Sequence, residues 1–198
     1  MRASRLLPTI PAVILMITSQ VVAAPITENV AFKAANFTSS FGQPVPVSPV
    51  MGSFTISFDP TLTYTDQTAG ITLKALNITL GSALSFSFSP TGPSANELFV
   101  GGLQGGAGII SLLPPSDDFY LQLTNFTSNP TFNQLGYTQT SVTGENLFFT
   151  PTPPDGLSSV AVTRAVSVPE PVSLAVLGST LVALGLTRRR HRRQQGLS

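Results

Sequence analysis

The sequence predicts an all-β domain, an antiparallel β-sandwich or jelly roll, flanked by an N-terminal signal peptide and a single C-terminal transmembrane helix. Three observations carry this prediction. Apolar and hydroxyl residues alternate without a fault in Ser53-Phe54-Thr55-Ile56-Ser57-Phe58 and in Leu84-Ser85-Phe86-Ser87-Phe88-Ser89, giving each run one apolar and one wet face. Turn clusters such as Asp59-Pro60, Pro90-Thr91-Gly92-Pro93 and Pro114-Pro115-Ser116-Asp117 separate runs of this kind. The uniformly apolar stretches lie at the two ends, and helical periodicity between them is weak throughout.

In chain order, Arg2 and Arg5 precede the apolar stretch Leu6 to Ile17, and the small residues Val21-Val22-Ala23-Ala24 follow, which is the layout of a cleaved secretory signal over residues 1–23. Cleavage after Ala23 leaves Ala24 as the new N-terminus. A cut after Ala24 would put Pro25, with its tertiary amide and no N–H, directly behind the scissile bond.

The exported domain is read as residues 24–166. Besides the two alternating runs, Phe119, Leu121 and Leu123 alternate with Tyr120, Gln122 and Thr124, and further strands are expected over residues 30–37, 98–101, 109–112, 137–143, 147–150 and 159–166. From Ile71 to Leu80 the phase changes. Ile71 and Leu73 are apolar on odd numbers and Leu76, Ile78 and Leu80 on even ones, so one extra residue near Ala75 predicts a β-bulge. Gly42 to Pro49, with three prolines, predicts an extended connector, and Pro151 to Gly156 a stop and turn before the last strand. Gly101 to Gly108 lacks the lysine and hydroxyl residue of a phosphate loop and the aspartate of calcium-binding repeats, and is read as a flexible hairpin connection.

Composition narrows the function classes. The whole chain carries +1, but seven of its ten basic residues lie in the terminal segments. Between Ala24 and Val168 only Lys33, Lys74 and Arg164 stand against eight carboxylates, a net −5, which leaves no cationic footprint for nucleic acid. Cysteine is absent, so no disulfide supports the fold, and about 145 residues are enough for one core. The single histidine, His191, sits in the tail, which excludes a Ser-His-Asp triad, a Cys-His pair and a histidine-ligated zinc site from the exported domain. A carboxylate pair of glycosidase type survives on paper, with Asp117, Asp118 and Glu145 as candidates. Adjacent strand residues face opposite ways, so Asp117-Asp118 is read as a solvated turn. Asp59, Asp66 and the Asp117-Asp118 turn are scattered oxygen donors for calcium and assemble no site by spacing. The sequence therefore assigns no catalytic, cofactor-binding or metal-binding residue, and the protein is expected not to be an enzyme and to hold no cofactor. Three Asn-x-Thr sequons place glycan acceptors at Asn36, Asn77 and Asn125, where about two are expected by chance from the composition.

The last segment, residues 167–198, is a sorting address. Val168-Pro169-Glu170-Pro171 is followed by an apolar run over Val172 to Thr187 and then by Arg188, Arg189, Arg190, Arg192 and Arg193. Sixteen helical residues span about 24 Å, short for a hydrocarbon core of roughly 30 Å. The arginines fix that end in the cytoplasm and leave everything before Pro169 on the far side. These three parts, motif 168–171, helix 172–187 and basic tail 188–193, resemble the PEP-CTERM sorting signal of Gram-negative bacterial surface proteins. The resemblance covers the tail alone. It implies recognition of Val168, Pro169, Glu170 and Pro171 by an exosortase, a membrane-embedded protease or transpeptidase that cuts near the motif and passes the protein outward. The competing reading of the tail is a plain anchor that is never cut. The expected partners are this protease, signal peptidase with the export machinery, and exopolysaccharide, with the membrane as a transient or retained anchor. The expected route is export through the inner membrane with a C-terminal anchor, then the cell surface or the extracellular space.

For the cargo, the first expectation is a structural protein of biofilm or exopolysaccharide. The second is a carbohydrate-binding module that stacks sugars on Tyr64, Tyr120 or Tyr137, weakened by the absence of tryptophan. The third and weakest is a carboxylate-based glycosidase or lyase.

Overall fold

The computed structural model describes residues 25–102, 105–110 and 116–165. The expected cleavage residues Ala23 and Ala24, the expected sorting motif Val168 to Pro171, the helix expected over 172–187 and the tail arginines lie outside these residues. Among the described residues no helix is long and apolar enough to cross a membrane.

The described chain is mostly β, in two antiparallel sheets. The strands are β1 (Ile26–Ala34), β2 (Thr38–Ser39), β3 (Val50–Phe58), β4 (Tyr64–Gln67), β5 (Ile71–Leu76), β6 (Ser85–Ser89), β7 (Glu97–Gly101), β8 (Asp117–Thr124), β9 (Thr131–Gln139), β10 (Leu147–Phe149) and β11 (Ser159–Ala165), with one helical turn α1 (Thr140–Thr143). One sheet has the order β11-β1-β3-β5 and the other β2-β10-β9-β8-β7-β6-β4. In the larger sheet β6 to β10 are sequential neighbours, an up-and-down meander that differs from the interleaved order of a jelly roll.

The core forms where the alternating faces meet. Phe54, Ile56 and Phe58 of β3 turn inward, as do Phe86 and Phe88 of β6 and Phe119, Leu121 and Leu123 of β8, and all are buried. Rings join the sheets directly, with Phe32 of β1 stacked on Phe119 of β8 at 6.1 Å and Phe58 of β3 against Phe88 of β6 at 4.8 Å.

The expected bulge is present. Phe54 pairs with Leu73 and Ser53 with Ala75, which leaves Lys74 as the extra residue. The Gly42 to Pro49 segment has no regular structure and is pinned by Tyr137, whose hydroxyl donates to the Val47 carbonyl at 2.8 Å and accepts from the Val47 amide at 3.2 Å.

Four expectations are corrected. The strand expected over 137–143 stops at Gln139, because Thr140 to Thr143 curl into α1. Ile109 and Ile110 form no strand, and 111–112 lie outside the described residues. Asp117 and Asp118 are the first residues of β8 and not a solvated turn. The glycine segment lies in the connection between the antiparallel neighbours β7 and β8, but within it Gly105–Ala107 form a 3-10 turn packed on Ser85 and Phe119, where no regular structure was expected.

Candidate functional site

The outer face of the seven-stranded sheet carries a row of polar and aromatic side chains. Inward alternation of Leu98, Val100, Leu121 and Leu123 sends Glu97, Phe99, Tyr120 and Gln122 outward. Gln122 Nε2 donates to Glu97 Oε2 at 3.2 Å, and the Tyr120 hydroxyl donates to Gln134 Oε1 at 2.8 Å. Gly136 stands opposite Tyr120 in the register, and a Cβ there would lie 2.4 Å from Tyr120 Cε1, so the ring lies across a site that only glycine leaves open. Burial raises the Tyr120 phenol above its usual range. Beside this row a shallow groove of about 260 Å3 crosses Thr65 of β4, Ser87 and Ser89 of β6, and Glu97 and Phe99 of β7, with Ala107 of the 3-10 turn at its margin.

Asp118 builds that margin. It points outward from β8 and is nonetheless 6% exposed, because the glycine segment folds over it. Its Oδ1 accepts from the Gly102 and Phe119 amides, each at 2.7 Å, and its Oδ2 from the Gly105 amide at 3.1 Å. Ser85 adds a hydroxyl bond of 2.8 Å to the Gly102 carbonyl. The approach requires glycine, since a Cβ on Gly105 would sit 1.7 Å from the Phe119 carbonyl oxygen. Desolvation raises the Asp118 carboxyl above its usual range against the three amides, which pull it down, and the Asp66 charge adds a small upward push. Both oxygens are occupied by backbone, so the arrangement organises a loop.

The other carboxylate candidates are scattered. Asp117 lies on the opposite face of β8 and accepts from the Ser141 amide at 3.1 Å and the Ser141 hydroxyl at 2.5 Å, tying down the start of α1. Glu145 is exposed between α1 and β10. Asp59 accepts from the Thr61 hydroxyl at 2.7 Å and the Thr61 amide at 2.9 Å, and these bonds lower its carboxyl. Asp66 stands at φ 47°, with one buried oxygen lacking a hydrogen bond. Among the described residues no three acidic or histidine side chains group into a metal site.

The three tyrosines separate by environment. Tyr137 is fully buried and serves the core and Val47, so it cannot stack on a ligand. Tyr64 packs edge-on against Phe58 at 5.9 Å, and its hydroxyl accepts from the Asp59 amide. Tyr120 lies on the outer face, where Phe99 joins it, and Tyr64 also lines the groove.

All three sequon asparagines are exposed. Asn36 and Asn125 occupy left-handed turns at φ 61° and 54°, a conformation asparagine tolerates better than most residues. Asn36 also donates to Asp155. Asn77 clamps the start of β3, accepting from the Met51 amide at 2.7 Å and donating to the Pro49 carbonyl at 2.9 Å.

Two buried polar residues carried no recognisable sequence signal. Asn146, 1% exposed, accepts from the Ser39 and Ser40 hydroxyls and the Phe41 amide. Glu28, also 1% exposed, points into the sandwich from β1. Its Oε1 accepts from Arg164 Nε at 2.9 Å and Nη2 at 2.7 Å, while its Oε2 is buried without a partner. The pair could be inferred only from the β1–β11 register, in which Glu28 and Arg164 are direct partners.

No family model, no curated protein and no solved structure matches this chain.

Proposed function

We propose that this chain is an exported surface or extracellular-matrix protein, sorted and processed by an exosortase-type membrane protease, with a structural role in biofilm or exopolysaccharide. The observation that carries the reading is the order of the tail: Pro169-Glu170-Pro171, a short apolar run, then five arginines. Two prolines around one residue keep that strip of backbone extended and available to a protease. The fold is compatible with it. In the β1–β11 register Thr27 is opposite Ala165, so the domain begins and ends at neighbouring positions, three and six residues from Ala24 and Pro171 respectively. Both signals can then be removed without opening the sheet.

Glu170 offers its charge to the protease. Glu170→Ala is expected to leave the protein membrane-held and unprocessed, read by immunoblot of membrane and extracellular fractions. Equal processing of mutant and parent overturns this role.

A carbohydrate-binding module is the second reading, favoured by the groove beside Phe99. Hydroxyls from Thr65, Ser87 and Ser89 and the Glu97 carboxylate flank the Phe99 ring, which Gly108 approaches on one side, a combination that holds a sugar by stacking and hydrogen bonding. On a glycan array it predicts a saturable ligand whose binding Phe99→Ala abolishes. The absence of any saturable ligand leaves the structural reading alone.

A further inference from the structure

Among the described residues the two sheets end in four edge strands, and three of them carry devices that discourage further pairing. β2 is two residues long. β4 is four residues long and irregular between Tyr64 and Gln67, with Asp66 in a left-handed conformation. β5 is bulged at Lys74, which places a cation in the irregularity. Short length, bulges and edge lysines are the usual means by which a sheet avoids adding strands.

β11 carries none of them. It pairs with β1 over seven consecutive residues, Ser159 to Ala165, without a shift, and it holds no proline or glycine. Its one charge, Arg164, is engaged by Glu28 within the same molecule. Among the described residues no strand lies on its other side, so a backbone edge of about 24 Å at ~3.4 Å per residue is open. Its inward residues Val160 and Val162 are only half-buried, and Val162 continues into an open recess of about 190 Å3 with Phe126, Pro130, Glu28 and Arg164.

We propose that β11 is a self-association edge, where a second copy of this chain adds its own β11 in antiparallel register about Val162. The strand suits itself. Val162 would meet Val162, Ala161 would meet Thr163, and Val160 would meet Arg164, so no like charges stand opposite. The exported domain is acidic overall, and the carboxylate beneath this edge, Glu28, is buried against a cation, so it adds no exposed negative charge to the approach. The pairing is two-fold and closed, joining two four-stranded sheets into one of eight strands. The two Ala165 ends then point in opposite directions. If the sorting reading also holds, copies pair after release or across facing surfaces, not side by side in one bilayer.

A chain without cysteine gives a clean test by single-cysteine cross-linking of full protein purified from producing cells. Opposed residues in an antiparallel pair lie about 4.5–5.5 Å apart at Cα, within the span of a disulfide. Val162→Cys alone, and Ala161→Cys mixed with Thr163→Cys, are expected to give covalent dimer several-fold above Lys74→Cys on the guarded edge and Ser159→Cys at the strand end. Ala161 and Thr163 are exposed, so that mixture tests the register even if Val162→Cys folds poorly. Light scattering of the parent protein should report a dimer. Cross-linking no better than Lys74→Cys, a monomer at all concentrations, or capture by β11 of other proteins only would each overturn self-pairing. None of these outcomes depends on whether the tail is cleaved.

Discussion

Asp118 and Glu28 are both carboxylates sealed from water, and they are held in opposite ways. Asp118 is enclosed by backbone, with three amides on its two oxygens and glycines packed where side chains would collide. Glu28 is enclosed by apolar core and one half-exposed arginine, with its second oxygen unpaired. The first acid shapes a loop that an apolar side chain could not hold. The second closes the flank of the sandwich with a pair that apolar residues could replace.

The largest expected effect lies at Asp118. Asp118→Ala strands three buried amides, and Gly105→Ala drives a Cβ into the Phe119 carbonyl, so each should lower stability by about 3 kcal/mol or more in urea unfolding, with the loop disordered. At the Glu28 pair the loss should be smaller. Arg164→Ala leaves a buried carboxylate without its partner and should cost on the order of 1–3 kcal/mol, discounted because the arginine side chain is 55% exposed. The double change Glu28→Leu with Arg164→Leu should recover most of that. Recovery at this pair, and none for apolar replacement of Asp118, is what the comparison demands.

Acid titration sharpens the contrast at smaller amplitude. A folded carboxyl held above its unfolded value of 3.8 takes up its proton before the unfolded chain does, so the Asp118 contribution to stability falls as pH rises from that value through the raised folded value. Asp59 is lowered, so its contribution is present above 3.8 and fades as pH falls through the depressed value. Asp118→Asn should remove the first slope and Asp59→Asn the second, measured by urea midpoints above pH 3.8 for the first and below it for the second. An unchanged slope in Asp118→Asn contradicts the assignment.

The sequence made the core strands legible because their burial has period two. Phe54, Ile56 and Phe58, like Phe86 and Phe88, read inward at sight, and the phase slip near Ala75 announced the bulge at Lys74. The outer sheet face was not legible. Phe99 follows the same alternation on the wrong side of its strand, and only the register with Leu121 and Leu123 shows it outward. Asp117-Asp118 resembled a turn because aspartates favour turns, yet the glycine cover that lets Asp118 enter a strand end lies more than ten residues away and has no local sign. Glu28 and Arg164 are 136 residues apart, and no periodicity links them.

The most direct measurement on the central claim is peptide mapping by mass spectrometry of protein from native cells, comparing inner-membrane and extracellular fractions. The account predicts an extracellular form that begins at Ala24, ends near Val168 and lacks every peptide from the arginine tail. Persistence of peptides from Gln194 to Ser198 in the membrane fraction, with no shortened form anywhere, would contradict it and make the tail a plain anchor.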